Sequence, residues 1–190
     1  MKLFEEAEAY RQRTDSCSYY SDLLEKVKEE RAAADKLKKV FKAEEMPWES
    51  SPFGRLKHVV NETLPVRMLS VDSFILEIPG GSHSGKHRHM AEEFMFVLEG
   101  EGYDLHWDVE MELRDRYYYK LPDEPKRFEW KAGDCILIPV NTVHQHFNSN
   151  PDQPARLISA ANRLYRYLGY NDLENLEDAP EFGAASGEQK

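Results

Sequence analysis

From Met1 to about Glu45 the chain has no Gly and no Pro and is rich in Ala, Glu, Lys and Leu. Within it Leu23, Val27, Ala34, Leu37 and Phe41 recur at steps of three and four, with Glu30 as the one polar residue in the series. That period predicts a helix with a single apolar face. A face of this width needs a surface to lie on: either the outside of the domain that follows, or a second copy in a dimer. Thr14, Asp15 and Ser16 carry N-cap chemistry and split a short helix from the longer one. Met46 followed by Pro47 ends the helical region, because a residue before proline avoids the helical conformation.

The pattern then changes. Short apolar stretches rich in Val, Ile, Phe and Tyr occupy 68–78, 93–98, 103–109, 117–121, 135–139 and 155–160, bounded by Gly, Pro, Asn and Asp. Such runs read as strands, and their spacing predicts an all-β sandwich or barrel rather than alternating βα units. Past Asn162, the residues Leu164, Tyr165 and Leu168 predict a short helix that stops at Gly169. The chain then turns acidic, and later small and polar, and disorder is expected after about Pro180. Three regions result: a helical extension over 1–49, a β domain over 50–161, and a short helix with an acidic tail over 162–190.

Composition narrows the partners. A net charge of -10 argues against nucleic acid and against an anionic membrane surface, both of which need a basic face. No apolar run approaches the length of a bilayer span, and residues 1–13 carry no apolar leader segment. Cys17 and Cys135 lie far apart and read as two reduced thiols of a cytoplasmic protein.

Two segments carry candidate chemistry. His87 and His89 are two apart, so on a strand both point to the same face, and Glu93 follows after a turn that returns a carboxylate to that side. His144 comes from a distant strand. Imidazole suits Fe, Zn, Cu and Ni, and one carboxylate adds charge and hardness. Three neutral imidazoles and one carboxylate leave a divalent ion with net positive charge, and on an octahedral ion they leave two positions open. A structural zinc site would instead be closed and tetrahedral, with Cys among its ligands. Neither cysteine lies near this cluster in the sequence.

The same residues fall into two spaced motifs. Gly81, His87, His89, Glu93 and Gly100 satisfy Gly, five residues, His-x-His, three or four residues, Glu, six residues, Gly. Gly133, Pro139, His144 and Asn148 satisfy Gly, five residues, Pro-x-Gly, two residues, His, three residues, Asn, with Asn141 in place of the second glycine. Asn tolerates the left-handed conformation that a turn there requires. In these motifs the sequence resembles the cupin superfamily. The resemblance implies an all-β double-stranded β-helix, or jelly-roll, barrel with an N-terminal helical extension, and a metal on His87, His89, Glu93 and His144. Glu92 competes with Glu93, but only Glu93 keeps the six-residue gap to Gly100.

Several neighbours have open roles. His146 shares parity with His144 and reads as an outer donor, a substrate contact or an acid/base group, against the plain alternative of a satisfied barrel histidine. Only one of His106 and Trp107 faces inward. Met95 and Val97 share parity with Glu93 and line the interior as core. Lys86 and Arg88 alternate against the histidines and are expected to face away, in solvent or an interface. Tyr117, Tyr118 and Tyr119 suit an edge strand or an interface. Gly80, Gly81 and Gly85 read as turn residues, since no helix follows to make a phosphate site.

The resemblance implies a metal-dependent enzyme, first an iron(II) dioxygenase acting on a small aromatic or phenolic molecule with O2, with His146 and His106 as candidate catalytic residues. Residues 87–89 and 139–148 also resemble gentisate-type ring-cleaving cupins. Zn, Mn or Ni are the alternative metals. The alternative reactions are isomerisation, lyase chemistry or decarboxylation, with the metal as Lewis acid. A non-catalytic cupin that holds a small ligand is the third reading. Cupins are commonly dimers or larger, so a homodimer is expected.

Overall fold

A computed structural model of the chain describes residues 2–14, 18–115, 117–170 and 173–182. The chain divides into two units, Met1–Lys39 and Val40–Lys190.

The first unit holds two helices, α1 (Lys2–Thr14) and α2 (Tyr19–Ala34). Of the expected break, residues 15–17 lie outside the described residues. Helix α2 starts after Ser18, whose backbone carbonyl accepts from Asp22 N at 2.8 Å. It buries none of its residues. It ends at Ala34, well before Pro47, with Lys36 N and Leu37 N donating to the carbonyls of Ala33 and Ala34. Continued as helix, Lys36, Lys38, Lys39 and Lys42 would crowd one another a turn apart, and Val40 and Phe41 are weak helix formers. Leu37 and Phe41 therefore lie outside the helix that their spacing predicted.

The second unit is β-rich. Its strands are β1 (Trp48–Ser51), β2 (Gly54–Val60), β3 (Val71–Ile78), β4 (Lys86–Arg88), β5 (Glu93–Glu99), β6 (Glu101–Trp107) and β7 (Glu110–Leu113). They continue with β8 (Tyr117–Lys120), β9 (Lys126–Lys131), β10 (Cys135–Ile138), β11 (Val143–Asn148) and β12 (Ala155–Asn162). A one-turn helix α3 (Leu164–Tyr167) and a last strand β13 (Glu174–Glu177) follow. Gly169, at φ +81°, stands at the stop expected for α3.

The strands form two main antiparallel sheets, β1-β2-β3-β12-β5-β10 and β13-β4-β11-β6-β9, with β7 and β8 as a separate hairpin. The expected jelly roll is the fold. The tyrosine run falls in that hairpin, where Tyr118 lies opposite Glu112. The acidic stretch after Asn171 contributes a strand: β13 pairs with β4, setting Asn175 opposite His87. No helix among the described residues is long and apolar enough to cross a membrane.

Alternation along β5 and β12 sends every second side chain inward. The resulting core is Leu56, Leu76, Ile78, Met95, Val97, Trp130, Ile136, Ile138, Ala155 and Leu157, with Phe74 packed against it. Met95 and Val97 sit in that core, at the parity expected from Glu93. Truncating Leu157, which is fully buried, to Ala would cost about 2–5 kcal/mol. One glycine is needed for close approach near the site. A Cβ at Gly85 would stand 2.3 Å from the Pro52 carbonyl oxygen. Without it, Gly85 N donates to Phe53 O at 3.1 Å, which brings the turn before β2 against the start of β4.

Candidate metal centre

His87 lies in the middle of β4 and His89 just beyond its end, so the two imidazoles leave the same face of the strand. His144, on β11, pairs in register with His87. Glu93 opens β5, in the other sheet. The four residues thus converge from both sheets, and one ligand atom from each lies within 4.8 Å of all the others. His144 is 0% exposed and Glu93 5%. Glu92 is exposed on the opposite parity. Glu93 Oε2 stands 3.0 Å from His89 Nε2 and 3.4 Å from His144 Nε2.

The outer nitrogens of the three imidazoles are all engaged by backbone. His87 Nδ1 contacts Gly85 O at 3.3 Å, His89 Nδ1 contacts Ala91 O at 2.7 Å, and His144 Nδ1 contacts Thr142 O at 2.9 Å. A carbonyl can only accept, so each contact places a proton on Nδ1; His89 also donates from Nε2 to Glu93 Oε2, and once that proton is given up all three rings offer Nε2. That is the tautomer a metal requires, fixed from behind by the main chain. His144 Nε2 is buried with no hydrogen-bond partner. An orphaned nitrogen this deep is costly unless something fills it.

The carboxylate is held as firmly. Ser159 Oγ donates to Glu93 Oε1, and Ser73 Oγ donates to the Ser159 carbonyl at 2.6 Å. The turn of the second motif holds the first. Asn141 adopts φ 60°, the left-handed conformation expected there, and its N–H donates to His89 O at 3.0 Å.

Electrostatics set the protonation states. Burial, with His144 beside it, pushes His87 well below the usual imidazole range. Burial likewise lowers His144, against the opposing pull of Glu93. Both rings are therefore neutral and can donate a lone pair. Burial would lower His89 too, but the hydrogen bond and charge of Glu93 outweigh it and raise its pKa. Burial alone would raise Glu93, yet His144 and His89 hold it well below the ordinary carboxylate value.

The neighbouring positions separate clearly. His106 faces inward at 4% exposure, while Trp107 is half-buried on the other side, under the Lys86 ammonium 3.6 Å from its ring centroid. His146 is buried beside His144, with ring centroids 5.4 Å apart. Arg88 does not face solvent as expected. It is 9% exposed, and its Nε donates to Glu174 of β13 at 2.6 Å. The acidic strand supplies the counter-charge that lets an arginine be buried there.

Sequence reasoning passed over Asp104, Ser159 and Phe53. Asp104, 0% exposed, accepts from His146 Nδ1 at 2.9 Å and Trp130 Nε1 at 2.6 Å, and its other oxygen contacts His106 Nε2 at 3.3 Å. Its parity with His106 along β6 was the available signal. Phe53 packs its ring 4.7 Å from that of His87. It also lines a cavity of about 390 Å3 whose wall includes Leu56, Val60, Ser73 and Phe74, with His58 and Arg166. None of the four candidate ligands lines this cavity; Phe53, which packs on His87, and Ser73, which bonds the Ser159 backbone, stand between it and the cluster.

The chemistry of the donor set fits a divalent transition ion. Three imidazole nitrogens and one carboxylate oxygen are gathered in a buried space, with one nitrogen otherwise unpartnered.

Comparison with known proteins agrees with the fold. A family model for the cupin domain matches residues 74–161. Auxin-binding protein T85 of Nicotiana tabacum is 26% identical over 120 residues, covering 63% of this chain and 60% of its own length. Among solved structures, the oxalate decarboxylase of Bacillus subtilis, described with Mn(II) centres, superposes with a TM-score of 0.52. It is 14% identical and covers 72% of this chain and 31% of that one. The polyketide cyclase RemF of Streptomyces resistomycificus superposes with a TM-score of 0.50, at 18% identity, covering 66% of this chain and 80% of that one. At such identities the two structures speak for the fold alone. Residues 74–161 thus match the cupin domain model, and the fold around them is similar to that of these proteins.

Proposed function

We propose that this chain is a metal-dependent cupin enzyme, an iron(II) dioxygenase acting on a small aromatic or phenolic molecule. His87, His89, Glu93 and His144 hold the ion. One observation carries the reading: three imidazoles pinned at Nδ1 by main-chain carbonyls turn their Nε2 atoms toward a buried carboxylate, and one of these atoms, on His144, has no partner. A core packed only for stability would not spend this many polar groups on an unfilled centre. Bound there, iron(II) would supply a Lewis acid and electrons for dioxygen, and Zn would supply the Lewis acid alone.

The protein's own part is binding and exclusion of water. Phe53, Leu56, Val60 and Phe74 give the nearby cavity an apolar wall that suits an aromatic ring. Ser73 and Ser159 hold Glu93 in place. His146 and His106 offer hydrogen bonds from the β11 and β6 side of the interior. The chain works on a small molecule, as a homodimer in the cytoplasm.

A second reading is favoured by the relatives named for binding auxin: the same centre holds a small organic ligand without turning it over, or works on it as a lyase, isomerase or decarboxylase. Metal analysis of anaerobically purified protein, followed by oxygen uptake against phenols, gentisates, diketones and thiols, separates the two. Iron with substrate-dependent uptake supports the dioxygenase. Another metal with no uptake on any of them moves the assignment to the second reading.

A further inference from the structure

We propose that Asp104 is a positioning residue that fixes the His146 ring and presents its Nε2 atom to whatever molecule occupies the metal cavity. This rests on the metal-centre reading for its consequence, but its geometry stands alone. Asp104 and His146 are directly opposite on the paired strands β6 and β11, where side chains are close neighbours. Asp104 Oδ1 takes both His146 Nδ1, at 2.9 Å, and Trp130 Nε1, at 2.6 Å. Indole N–H is only a donor, so it forces this oxygen to be an acceptor. His146 Nδ1 must then carry a hydrogen, and Nε2 is the ring nitrogen left for a ligand. The backbone of the same residue is also tied, His146 N donating to Ser84 Oγ at 2.9 Å.

Asp104 Oδ2 reaches His106 Nε2 at 3.3 Å, and His106 in turn packs its ring on Phe128. His106 lines a different space, a cleft of about 420 Å3 along β9 and β10 with Phe128, Trp130, Cys135 and Leu137. A buried carboxylate without these donors would be costly, so the three of them and Asp104 hold one another in a single arrangement. His144 and His146 are next-but-one on β11 and both interior, so a ring fixed by Asp104 sits beside the metal ligand at 5.4 Å between centroids. The side chain that selects and orients a ligand at this centre is thus set by a carboxylate that does not touch it.

The test has two parts. In the metal-free protein labelled with 15N-histidine, taken well above the pKa of His146, which Asp104 raises, so that the ring is neutral, long-range 1H–15N correlation spectra report which ring nitrogen bears hydrogen. We expect His146 protonated at Nδ1. In Asp104→Ala, which removes the acceptor, nothing holds the hydrogen on Nδ1 and the Nε2-protonated form should appear beside it. A wild-type His146 with bare Nδ1, or a tautomer unchanged in Asp104→Ala, overturns the proposal. In the cobalt(II)-loaded protein, binding of catechol, whose free hydroxyl can donate to the bare Nε2, is read by visible absorption. Asp104→Ala and His146→Phe should each weaken catechol by roughly 10-fold or more with cobalt affinity unchanged, and the double variant should lose no more than either. Losses that multiply in the double variant would make Asp104 merely structural and overturn the proposal. Failure of the wild-type protein to bind cobalt would sink the metal reading, while the tautomer spectra would still decide the role of Asp104. If Asp104→Ala does not fold, the wild-type spectrum decides alone.

Discussion

The N–H of Asn141 donates to the carbonyl of His89 across 3.0 Å, so the tight turn before β11 holds the loop that carries a ligand from β4. Asn141 sits at φ 60°. A left-handed residue with a Cβ costs about 1–2 kcal/mol unless its side chain is Asn, Asp or Gly. Asn141→Gly should therefore leave stability and metal affinity nearly unchanged. Asn141→Val should lose about 1–2 kcal/mol in urea denaturation and weaken metal binding, because the turn that pins His89 relaxes. Equal affinity in both variants would show that the turn does not set the ligand.

This relationship also marks what the sequence disclosed. The candidate ligand set was legible because strand parity pairs His87 with His89, and because Glu93 and His144 keep the spacing of the two motifs that resemble cupins; Asn141 fits its turn by its tolerance of positive φ. The end of α2 was less legible, because like-charged lysines outweigh a periodic apolar pattern. Strand β13 could not be read locally, since Glu174, Asn175 and Glu177 are poor strand formers whose pairing is supplied by β4. Burial of Arg88 depends on that same strand. Asp104 gave no local signal, because its three donors come from three different strands.

Ser159 gives a sharper test of the carboxylate. Its hydroxyl is the donor to Glu93 Oε1. Outer partners of this type are worth roughly 10–100-fold in metal affinity. Ser159→Ala should lower affinity by that factor, measured by competition with a chelator, while His89→Ala and His144→Ala should abolish metal binding and leave the β signal in circular dichroism. Full metal content in His89→Ala would remove that residue from the ligand set.

Acidity should act on the two states in different windows. Glu93 is held well below its ordinary value of 4.5. Asp104 is likewise depressed below 3.8. A depressed carboxylate contributes stability that is present above its unfolded pKa and lost as pH falls through the folded one. The metal-free barrel should therefore lose stability as pH drops below about 4, and Glu93→Gln should flatten that limb of the profile. Metal affinity should fall much earlier. His89 has its pKa raised above 6.5, so protons compete for its Nε2 from above that pH downward. Metal titrations at a series of pH values check this, and an affinity that is flat down to about pH 5 would contradict it.

The C-terminal strand should matter to the centre although it supplies no ligand. Strand β13 lies along β4, with Asn175 opposite His87 and Glu174 paired with Arg88. Beyond it Ala179 is fully buried and its N–H donates to Pro52 O at 2.7 Å, beside the Phe53 ring that packs on His87. Ending the chain after Gly169 would turn β4 into a bare three-residue edge and leave Arg88 buried without Glu174. The lost backbone hydrogen bonds are worth about 1 kcal/mol each, and removing the Glu174 carboxylate from a buried arginine costs more. Such a truncation should lower stability by roughly 3–5 kcal/mol and weaken metal binding. Ending the chain after Phe182 keeps every one of these contacts and should change neither. Arg88→Met, which removes the charge together with its need for Glu174, should restore part of the stability of the shorter chain. A truncated protein with unchanged melting temperature and metal affinity would show that β4 holds His87 without help from the acidic strand.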